Sequence, residues 1–271
     1  MIDLFKIVIM KIIYDFGANN GDNIPYYLLK SDLVVAVEAN PDLSNSIKKR
    51  FEKEIINKKL VVLNYVISTE KKNGDVDFFI HKTNHHLSRT NPANNKINNF
   101  NKIKIKSKNV INIIEEFGEP YFIKIDIEGQ DHLVLKSLFL SKIKPNYISA
   151  EAHKIEVFTN LCALGEYKAF KLVIGSDVHK RYKDLKIKTK NGYLNYSFPL
   201  KSAGPFGNDI DGPWMTVNNL YQPLSYIGTG WVDIHCSNMD FADPLYKPKT
   251  EVKEVISENN KVSGVKIIPK I

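Results

Sequence analysis

The chain has 271 residues, of which 43% are hydrophobic and 25% charged, and this composition is typical of a globular protein. A chain of this length can form one large α/β domain whose core is big enough to enclose a ligand cleft. No run of about 18 uncharged apolar residues occurs, which argues against a membrane span. The only thiols are Cys162 and Cys236, so the chain needs no disulfide framework and we expect a cytoplasmic protein.

The formal net charge is +8, and the basic residues are mostly lysines that recur along the whole chain. A nucleic-acid site would instead show a clustered basic stripe, preferably one that contains arginine. The charge therefore predicts lysines on solvated faces and no nucleic-acid partner. A mild attraction for an anionic substrate remains compatible with this charge.

The first half of the chain alternates apolar runs with helical patterns. Residues 11–16, 33–38 and 60–67 are short β-branched or apolar runs that predict strands. Residues 24–30 and 42–57 have the spacing of helices, and Pro25 is tolerated in the first turn of its helix. This order is typical of a sheet whose strands are joined by helices.

The middle of the chain is less regular. Residues 75–80 and 102–107 alternate like strands, whereas the polar, Asn-rich residues 84–101 predict a loop. A short helix is expected at 109–117, where Gly118 ends it.

The second half returns to the alternating order. Strands are predicted at 121–127, 146–151, 168–174 and 231–235, and helices at 131–140 and 155–164. Strands that alternate with helices predict a mostly parallel sheet covered on both faces. In such sheets, ligands bind beyond the carboxyl ends of the strands, so the residues that follow each strand are the candidates for function.

The first predicted strand ends in DFGANNGD, and the second ends in an acidic residue. Gly17 and Gly21 allow main chain to approach a ligand closely. Glu38 follows about 20 residues later, where a carboxylate can accept both hydroxyls of a ribose. The loop lacks the third glycine of a pyrophosphate fingerprint, and Asp15 would suit a ligand ammonium group better than a diphosphate. This pattern favours S-adenosylmethionine over NAD.

Three segments in this order, YDFGANNGDN, VVAVEANP and FIKIDIEGQDHLVLKSL, resemble the FkbM family of S-adenosylmethionine-dependent methyltransferases. The resemblance covers roughly residues 11–175, and the D-x-E-G segment is its most specific part. It implies a Rossmann-like class I methyltransferase fold with a seven-stranded, mostly parallel sheet and an antiparallel last strand. It also implies transfer of a methyl group to a hydroxyl oxygen. The later segments AGPFGNDIDGPW and WVDIHC are similar to a branch of this family that is associated with surface polysaccharides.

The resemblance also implies a set of cofactor-binding residues. Those around the methionine part would be Asp15, Gly17, Asn19 and Gly21. Glu38 would bind the ribose, Asn40 would lie near the adenine edge, and Ser68 would border the adenine. Asp126, at the end of a later strand, is a further candidate by its position, as a contact to the cofactor or to the acceptor hydroxyl.

Methyl transfer to a hydroxyl requires a group that takes the hydroxyl proton. Asp126 and Glu128 follow a predicted strand, and we expect them to contact the acceptor. His153 follows the next strand and is the expected general base, because imidazole titrates near neutral pH. The alternatives without a catalytic role are that the two carboxylates cap the following helix and that His153 is a hydrogen-bonded structural residue. Mg²⁺ on the two carboxylates is a further alternative that the sequence does not favour, so no metal site is predicted.

Other residues have alternative roles. His179 follows another strand and is a second candidate for the base, whereas His235, within the last strand, is expected to be structural. Residues 192–230 contain Phe206 and Trp214 among paired glycines and prolines, and they predict either an acceptor-side wall or a rigid excursion that covers the sheet. We expect a methyltransferase domain at 1–245 and an extension at 246–271, with a small hairpin.

Two other functional classes remain open. An NAD-dependent oxidoreductase or epimerase could use the same sheet and ribose clamp. A catalytically silent protein of this fold, acting as a partner subunit, is less favoured because Asp15, Glu38 and Asp126 are all present. A nucleic-acid methyltransferase is disfavoured by the lack of an Asn/Asp-Pro-Pro-aromatic segment. The predicted partner is a small-molecule or glycan acceptor, and the oligomeric state is left open.

Overall fold

The computed structural model describes residues 10–70, 73–189, 192–228, 231–256 and 262–270. Its helices are α1 Ile24–Lys30, α2 Pro41–Arg50, α3 Glu52–Ile56, α4 Val110–Phe117, α5 Asp131–Leu140, α6 Ile155–Thr159, α7 Val178–Arg181 and α8 Val217–Ile227. Its strands are β1 Ile12–Phe16, β2 Leu33–Val37, β3 Leu60–Leu63, β4 Val66–Ser68, β5 Asp75–His81, β6 Phe100–Asn109, β7 Pro120–Ile125, β8 Tyr147–Glu151, β9 Ala169–Ile174, β10 Leu185–Thr189, β11 Gly192–Tyr196, β12 Val232–Ser237, β13 Lys249–Ile256 and β14 Val262–Lys270.

Seven of the described strands form one sheet in the order β3-β2-β1-β7-β8-β12-β9. β1, β2 and β3 are parallel neighbours, whereas β12 runs antiparallel between β8 and β9. The predicted fold class is therefore confirmed, including the antiparallel last strand of the sheet. Three smaller sheets, β4-β6-β5, β10-β11 and β13-β14, account for the other described strands.

The chain divides into two compact units. The first unit comprises Met1–Lys124 with Lys188–Leu194, and it contains β1 to β3 with their helices. Strand side chains such as Ile13 and Val35 are fully buried because helices cover the sheet. On α1, Tyr27 packs edge-on against Phe122 at 5.8 Å between ring centroids. Burial of aromatic rings of this kind is a major source of stability in a core.

The second unit comprises Ile125–Ile187 with Asn195–Ile271. Its core is formed where β12 pairs with β8 and β9, and Ile148, Ile234 and Leu172 are buried there. Helix α5 buries Val134 and Leu138, whose spacing of four places them on one face. The strand that precedes His153, β8, is therefore part of a packed core.

One predicted strand is divided in the structure. Residues 60–67 were expected to form a single strand, but β3 ends at Leu63 and β4 pairs with β6 in a separate sheet. The break lies at Asn64, whose amide donates hydrogen bonds to the backbone carbonyls of Glu38 and Ala39 at 2.8 and 3.0 Å. The polar side chain thus ends the strand by bonding to the end of its neighbour β2.

The predicted C-terminal hairpin corresponds to β13 and β14, which pair antiparallel. Among the described residues, no helix has the length and apolar character required to cross a membrane. The expected division between a domain at 1–245 and an extension at 246–271 remains a prediction, as does the acceptor-side role of residues 192–230.

Candidate functional site

The glycine loop after β1 is shaped by main-chain bonds to β2. The backbone N–H groups of Gly17 and Ala18 both donate to the carbonyl oxygen of Val37 at 3.0 Å. Gly17 and Asn19 adopt left-handed backbone conformations, with φ of 85° and 50°. Such conformations suit glycine and are tolerated by asparagine better than by most other residues. The sequence of the loop therefore matches its backbone shape.

Gly21 has a structural reason of its own. Its φ is 78°, and a Cβ atom there would lie 3.1 Å from side-chain atoms of Ile24 and Ile47. The absence of a side chain thus lets the loop pack closely against α1 and α2. The predicted role of Gly21 next to the cofactor remains a prediction, and the packing accounts for this glycine without a ligand.

Glu38 holds the glycine loop and the start of α2 through its two carboxylate oxygens. Oε2 accepts a hydrogen bond from the backbone N–H of Asn19, and Oε1 accepts one from that of Asn40, both at 2.7 Å. Burial raises the pKa of Glu38 to about 7, against the opposing effect of these two hydrogen bonds and of the Lys124 charge. Each carboxylate oxygen still has capacity to accept a further hydrogen bond.

Asp15 and Lys124 form a buried pair in the same unit. The Asp15 side chain is fully buried, and the Nζ atom of Lys124 lies 3.6 Å from Asp15 Oδ1. The same Nζ donates a hydrogen bond to the carbonyl oxygen of Gly17 at 3.1 Å. Lys124 therefore ties β7 to the end of β1 and to the first residue of the turn that follows it.

Two asparagines complete this region. The side chain of Asn40 accepts a hydrogen bond from the backbone N–H of Asp42, so Asn40 is the N-cap of α2. Asn19 Oδ1 is buried and has no hydrogen-bond partner among the residues that the structure describes. A buried amide oxygen without a partner is costly unless a ligand donates to it. This oxygen is a suitable acceptor for an ammonium group.

A groove of about 610 Å³ lies elsewhere in the first unit. Its lining includes Pro41, Asn64 and Tyr65, together with Lys104 and Lys106 of β6. None of the predicted cofactor residues lines it. We therefore do not assign the groove to the cofactor.

The second unit contains a cluster of acidic side chains after β7 and β8. Glu151, the last residue of β8, is only 6% exposed, and its side chain forms a hydrogen bond with Asp126. Burial and the charges of Asp126, Glu128 and Asp131 all raise the pKa of Glu151. A hydrogen bond between two carboxyl groups requires one of them to hold a proton. One of the two carboxyl groups, Asp126 or Glu151, therefore holds a proton while this hydrogen bond is formed.

Asp131 shapes the turn that carries Glu128. Its carboxylate accepts hydrogen bonds from the backbone N–H groups of Ile127 and Gly129, at 3.4 and 3.1 Å. Burial, followed by the charge of Asp126, raises the pKa of Asp131 to about 6. Glu128 has φ of 59°, a left-handed conformation, so its direction is set by the turn and not by strand alternation.

His153 adds an imidazole ring to the cluster. Its Nε2 atom lies 2.6 Å from Glu151 Oε2 and 4.0 Å from Glu128 Oε2. Donor atoms of Glu128, Glu151 and His153 lie within 4.8 Å of one another, a spacing at which side chains can also hold a metal ion. The cluster thus combines a base with several hydrogen-bond acceptors.

Residues 15–179 match the family model described as the methyltransferase FkbM domain, which is more than half of the chain. The chain belongs to the FkbM methyltransferase family. The predicted family is thereby confirmed. Among curated proteins, none matches the chain.

Several solved structures resemble this chain weakly. Methyltransferase FkbM from Methylobacillus flagellatus KT has 17% identity and a TM-score of 0.40, over 60% of this chain and 39% of that one. Precorrin-6y C5,15-methyltransferase from Geobacter metallireducens GS-15 has 10% identity and a TM-score of 0.36, over 84% and 81%. The chain therefore spans about two fifths of the M. flagellatus protein, and likenesses this weak carry no argument about chemistry.

In the structure, the predicted site residues form two groups. The first unit brings together the residues around the glycine loop and the end of β2, namely Asp15, Gly17, Asn19, Gly21, Glu38 and Asn40. Ser68 lies instead in the small sheet with β6, where its Oγ accepts a hydrogen bond from the backbone N–H of Glu70. The second unit brings together Asp126, Glu128 and His153. Their functional roles remain predictions.

Three residues of these groups were absent from the predicted site. The Nζ of Lys124 contacts Asp15 and the carbonyl oxygen of Gly17. Asn64 follows the last apolar residue of β3, a position that could have identified it. Glu151 precedes His153 by two residues, and this spacing predicts that the two lie at the same rim of the sheet, but Glu151 was assigned no role.

Other expectations can be compared with burial. Phe206 and Trp214 are both buried and pack against Tyr147, so their ring faces are used within the protein. Trp214 Nε1 also donates to Asn208 Oδ1 at 2.8 Å. His235 is buried, and burial lowers its pKa to about 3; its structural role remains a prediction.

Proposed function

We propose that the protein is an S-adenosylmethionine-dependent O-methyltransferase whose acceptor is a sugar hydroxyl of a surface glycan or its precursor. The single observation that supports transfer to oxygen is the contact between His153 and the carboxyl cluster. A hydroxyl must lose its proton as it is methylated, and this cluster offers a base for it.

The residues of the first unit fit the proposed cofactor. Glu38 has acceptor capacity left for two ribose hydroxyls, and the buried Asn19 Oδ1 can accept from the ammonium group. S-adenosylmethionine supplies a methyl group on a sulfonium, which an oxygen nucleophile displaces. Asp15 would add negative charge near the positive ligand, with Lys124 limiting the repulsion between Asp15 and Glu38 when no ligand is bound.

The residues of the second unit fit a hydroxyl-rich acceptor. Ionised carboxylates only accept hydrogen bonds, and a sugar offers several hydroxyl donors. We assign Asp126 and Glu128 to binding and orienting the acceptor, and His153 to removing the proton of the reacting hydroxyl. Correct alignment of an oxygen with the methyl group can by itself remove about 7–11 kcal/mol of the barrier. The similarity of residues 203–214 to the polysaccharide-associated branch supports a glycan acceptor.

Calorimetric titration tests the cofactor first. EDTA-treated protein is titrated with S-adenosylhomocysteine and, in parallel, with NAD. Micromolar binding of S-adenosylhomocysteine alone supports the proposal. Binding of NAD alone contradicts it and favours the oxidoreductase or epimerase alternative.

A transfer assay then tests the acceptor. Radiolabelled S-adenosylmethionine is incubated with methyl glycosides, nucleotide-linked hexoses and an amino sugar, with and without Mg²⁺. We expect label on a hydroxyl of at least one sugar without added metal. Label on nitrogen only would contradict O-methylation, and cofactor binding without transfer to any acceptor would favour a catalytically silent protein.

A further inference from the structure

Asn64 holds the end of β2 through its side-chain amide. Its Nδ2 atom donates to the carbonyl oxygen of Glu38 at 2.8 Å and to that of Ala39 at 3.0 Å. An amide NH₂ group has two protons, so it can satisfy both acceptors. The backbone N–H of Glu38 donates in turn to the carbonyl oxygen of Leu63 at 3.0 Å. The main chain of Glu38 is therefore held at its N–H and at its C=O group by two consecutive residues at the end of β3.

The carbonyl oxygen of Ala39 belongs to the same peptide unit as the backbone N–H of Asn40. A trans peptide unit is planar, and its C=O and N–H groups point in opposite directions. On one side, this unit accepts the hydrogen bond from Asn64, and on the other side its N–H donates to Glu38 Oε1 at 2.7 Å. Rotation of the unit would disturb both bonds. The Asn64 amide therefore fixes the direction of an N–H group that holds the Glu38 carboxylate.

The orientation of the Glu38 carboxylate decides where a ligand can bond to it. The residue is only 7% exposed, and its second oxygen, Oε2, accepts the backbone N–H of Asn19 at 2.7 Å. Each carboxylate oxygen can accept two hydrogen bonds, and a backbone N–H occupies one position on each. A binding group must be held to within about 0.5 Å of its productive position by the residues behind it. For Glu38, Asn64 is one of those residues.

We propose that Asn64 is a positioning residue for ribose binding, which acts through the peptide unit of Ala39 and Asn40 to set the direction of the Glu38 carboxylate. This inference rests on the proposed function, in which Glu38 accepts the ribose hydroxyls of S-adenosylmethionine. Asn64 needs no contact with the cofactor, because the planar peptide unit transmits its effect. The side chain that ends β3 thus also preorganises Glu38, which lowers the cost of ordering the site when a ligand binds.

Amide hydrogen exchange tests the chain of hydrogen bonds without any ligand. The variant is Asn64→Ala, and the control is Asn45→Ala, which makes the same change at an exposed position of α2. The backbone amide of Asn40 is followed by NMR in protein labelled with ¹⁵N-asparagine, and the signal that disappears in Asn40→Asp identifies it. We expect exchange of this amide to be about tenfold faster or more in Asn64→Ala and unchanged in the control.

Deoxy ligands test the consequence for the cofactor. S-adenosylhomocysteine and its 2′-deoxy and 3′-deoxy forms are titrated by calorimetry into the unaltered protein and both variants. In the unaltered protein, loss of either hydroxyl should lower the affinity about tenfold or more, because a hydrogen bond to a charged acceptor is lost. In Asn64→Ala, the affinity for S-adenosylhomocysteine should fall, and the preference over at least one deoxy form should drop to about twofold. A merely structural role would weaken all three ligands equally and leave these preferences unchanged.

Two results would overturn the proposal. One is unchanged exchange of the Asn40 amide in a folded Asn64→Ala variant, and the other is an unchanged preference over both deoxy forms in that variant. If circular dichroism shows that Asn64→Ala does not fold, Asn64→Ser, whose hydroxyl can donate to only one of the two carbonyl oxygens, is measured in its place. If the unaltered protein binds no S-adenosylhomocysteine, or binds the deoxy forms equally well, the proposed role of Glu38 fails, while exchange of the Asn40 amide still tests the effect of Asn64 on the peptide unit.

Discussion

Buried carboxylates occur in two regions of the chain, and their charges are balanced in different ways. Around the glycine loop, Asp15 is paired with Lys124, and Glu38 accepts two backbone N–H groups. After β7 and β8, the carboxyls of Asp126 and Glu151 contact each other and a histidine. In the first region, the carboxylate charges are compensated by a lysine and by backbone N–H groups, whose own charge does not change near neutral pH. In the second region, the carboxyl groups of Asp126 and Glu151 avoid repulsion because one of them is protonated.

This difference suggests what each region can do. A lysine and oriented N–H groups prearrange the first region, which is the requirement for binding a ligand of fixed charge. Carboxyls that raise one another's pKa, next to an imidazole, are suited to accept or release a proton near neutral pH. The comparison therefore assigns binding to the first region and proton transfer to the second, and the following predictions test that assignment.

The largest effect is expected from Lys124→Met. Removing one partner of a buried ion pair leaves the other charge uncompensated, and we expect the free energy of unfolding to fall by about 3–5 kcal/mol. Urea unfolding measures the change. The matched control is Lys144→Met, since Lys144 pairs with Glu166 at the surface and its loss should change stability little. Equal effects of the two substitutions would contradict the proposed balance at Asp15.

Glu38→Ala should weaken binding of S-adenosylhomocysteine about 100-fold or more, because hydrogen bonds from the ribose to a charged acceptor are lost. Calorimetry measures the affinity, and circular dichroism checks that the fold is retained. Glu52→Ala, at an exposed position of α3, is the control and should bind normally. An unchanged affinity in Glu38→Ala would remove the ribose assignment.

His153→Ala should slow methyl transfer at least about 100-fold, the smaller end of the range for loss of a general base. The affinity of this variant for S-adenosylhomocysteine should change far less, since His153 lies in the second region and not among the proposed cofactor residues. Turnover with the sugar acceptor and calorimetry together measure this split. His179→Ala is the comparison variant, because His179 is the alternative base. If His179→Ala slows methyl transfer and His153→Ala does not, the general base is His179 and not His153.

Much of the fold could be predicted because its signals are local. Apolar runs that end in polar residues located the strands of the large sheet, and Gly118 ended α4 as expected. Other features depend on contacts that are distant in sequence. Asn64 divides a predicted strand by bonding to Glu38 and Ala39, and Trp214 is buried against Tyr147. No pattern within either segment shows those partners.

The candidate site divides in the same way. Glu38 and the glycine loop follow a recurrent spacing, so the sequence brought them together correctly. Lys124 could not be assigned to Asp15 because strand alternation gives the face of a side chain and not the loop it contacts. Glu128 departs from alternation because Asp131 holds the turn in a left-handed conformation. The arrangement of the side chains in the second region therefore could not be predicted from the sequence alone.

The smallest predicted effect is on the pH dependence of cofactor binding. Burial raises the pKa of Glu38 to about 7 in the ligand-free protein, so the group is mostly protonated at pH 6 and ionised at pH 8. A ligand whose ribose donates to the carboxylate binds the ionised form, and the affinity for S-adenosylhomocysteine should rise about tenfold from pH 6 to pH 8.

Calorimetry at the two pH values, in buffers of different ionisation enthalpy, measures both the affinity and the protons released on binding. In Glu38→Gln the affinity should be lower and nearly independent of pH, because the titrating group is gone. Glu151→Gln should retain the full dependence, since that carboxyl belongs to the proton-transfer region. The opposite result would be a pH-independent affinity in Glu151→Gln and a retained pH dependence in Glu38→Gln. It would mean that cofactor binding depends on the protonation of the second region, and it would contradict the separation of the two regions.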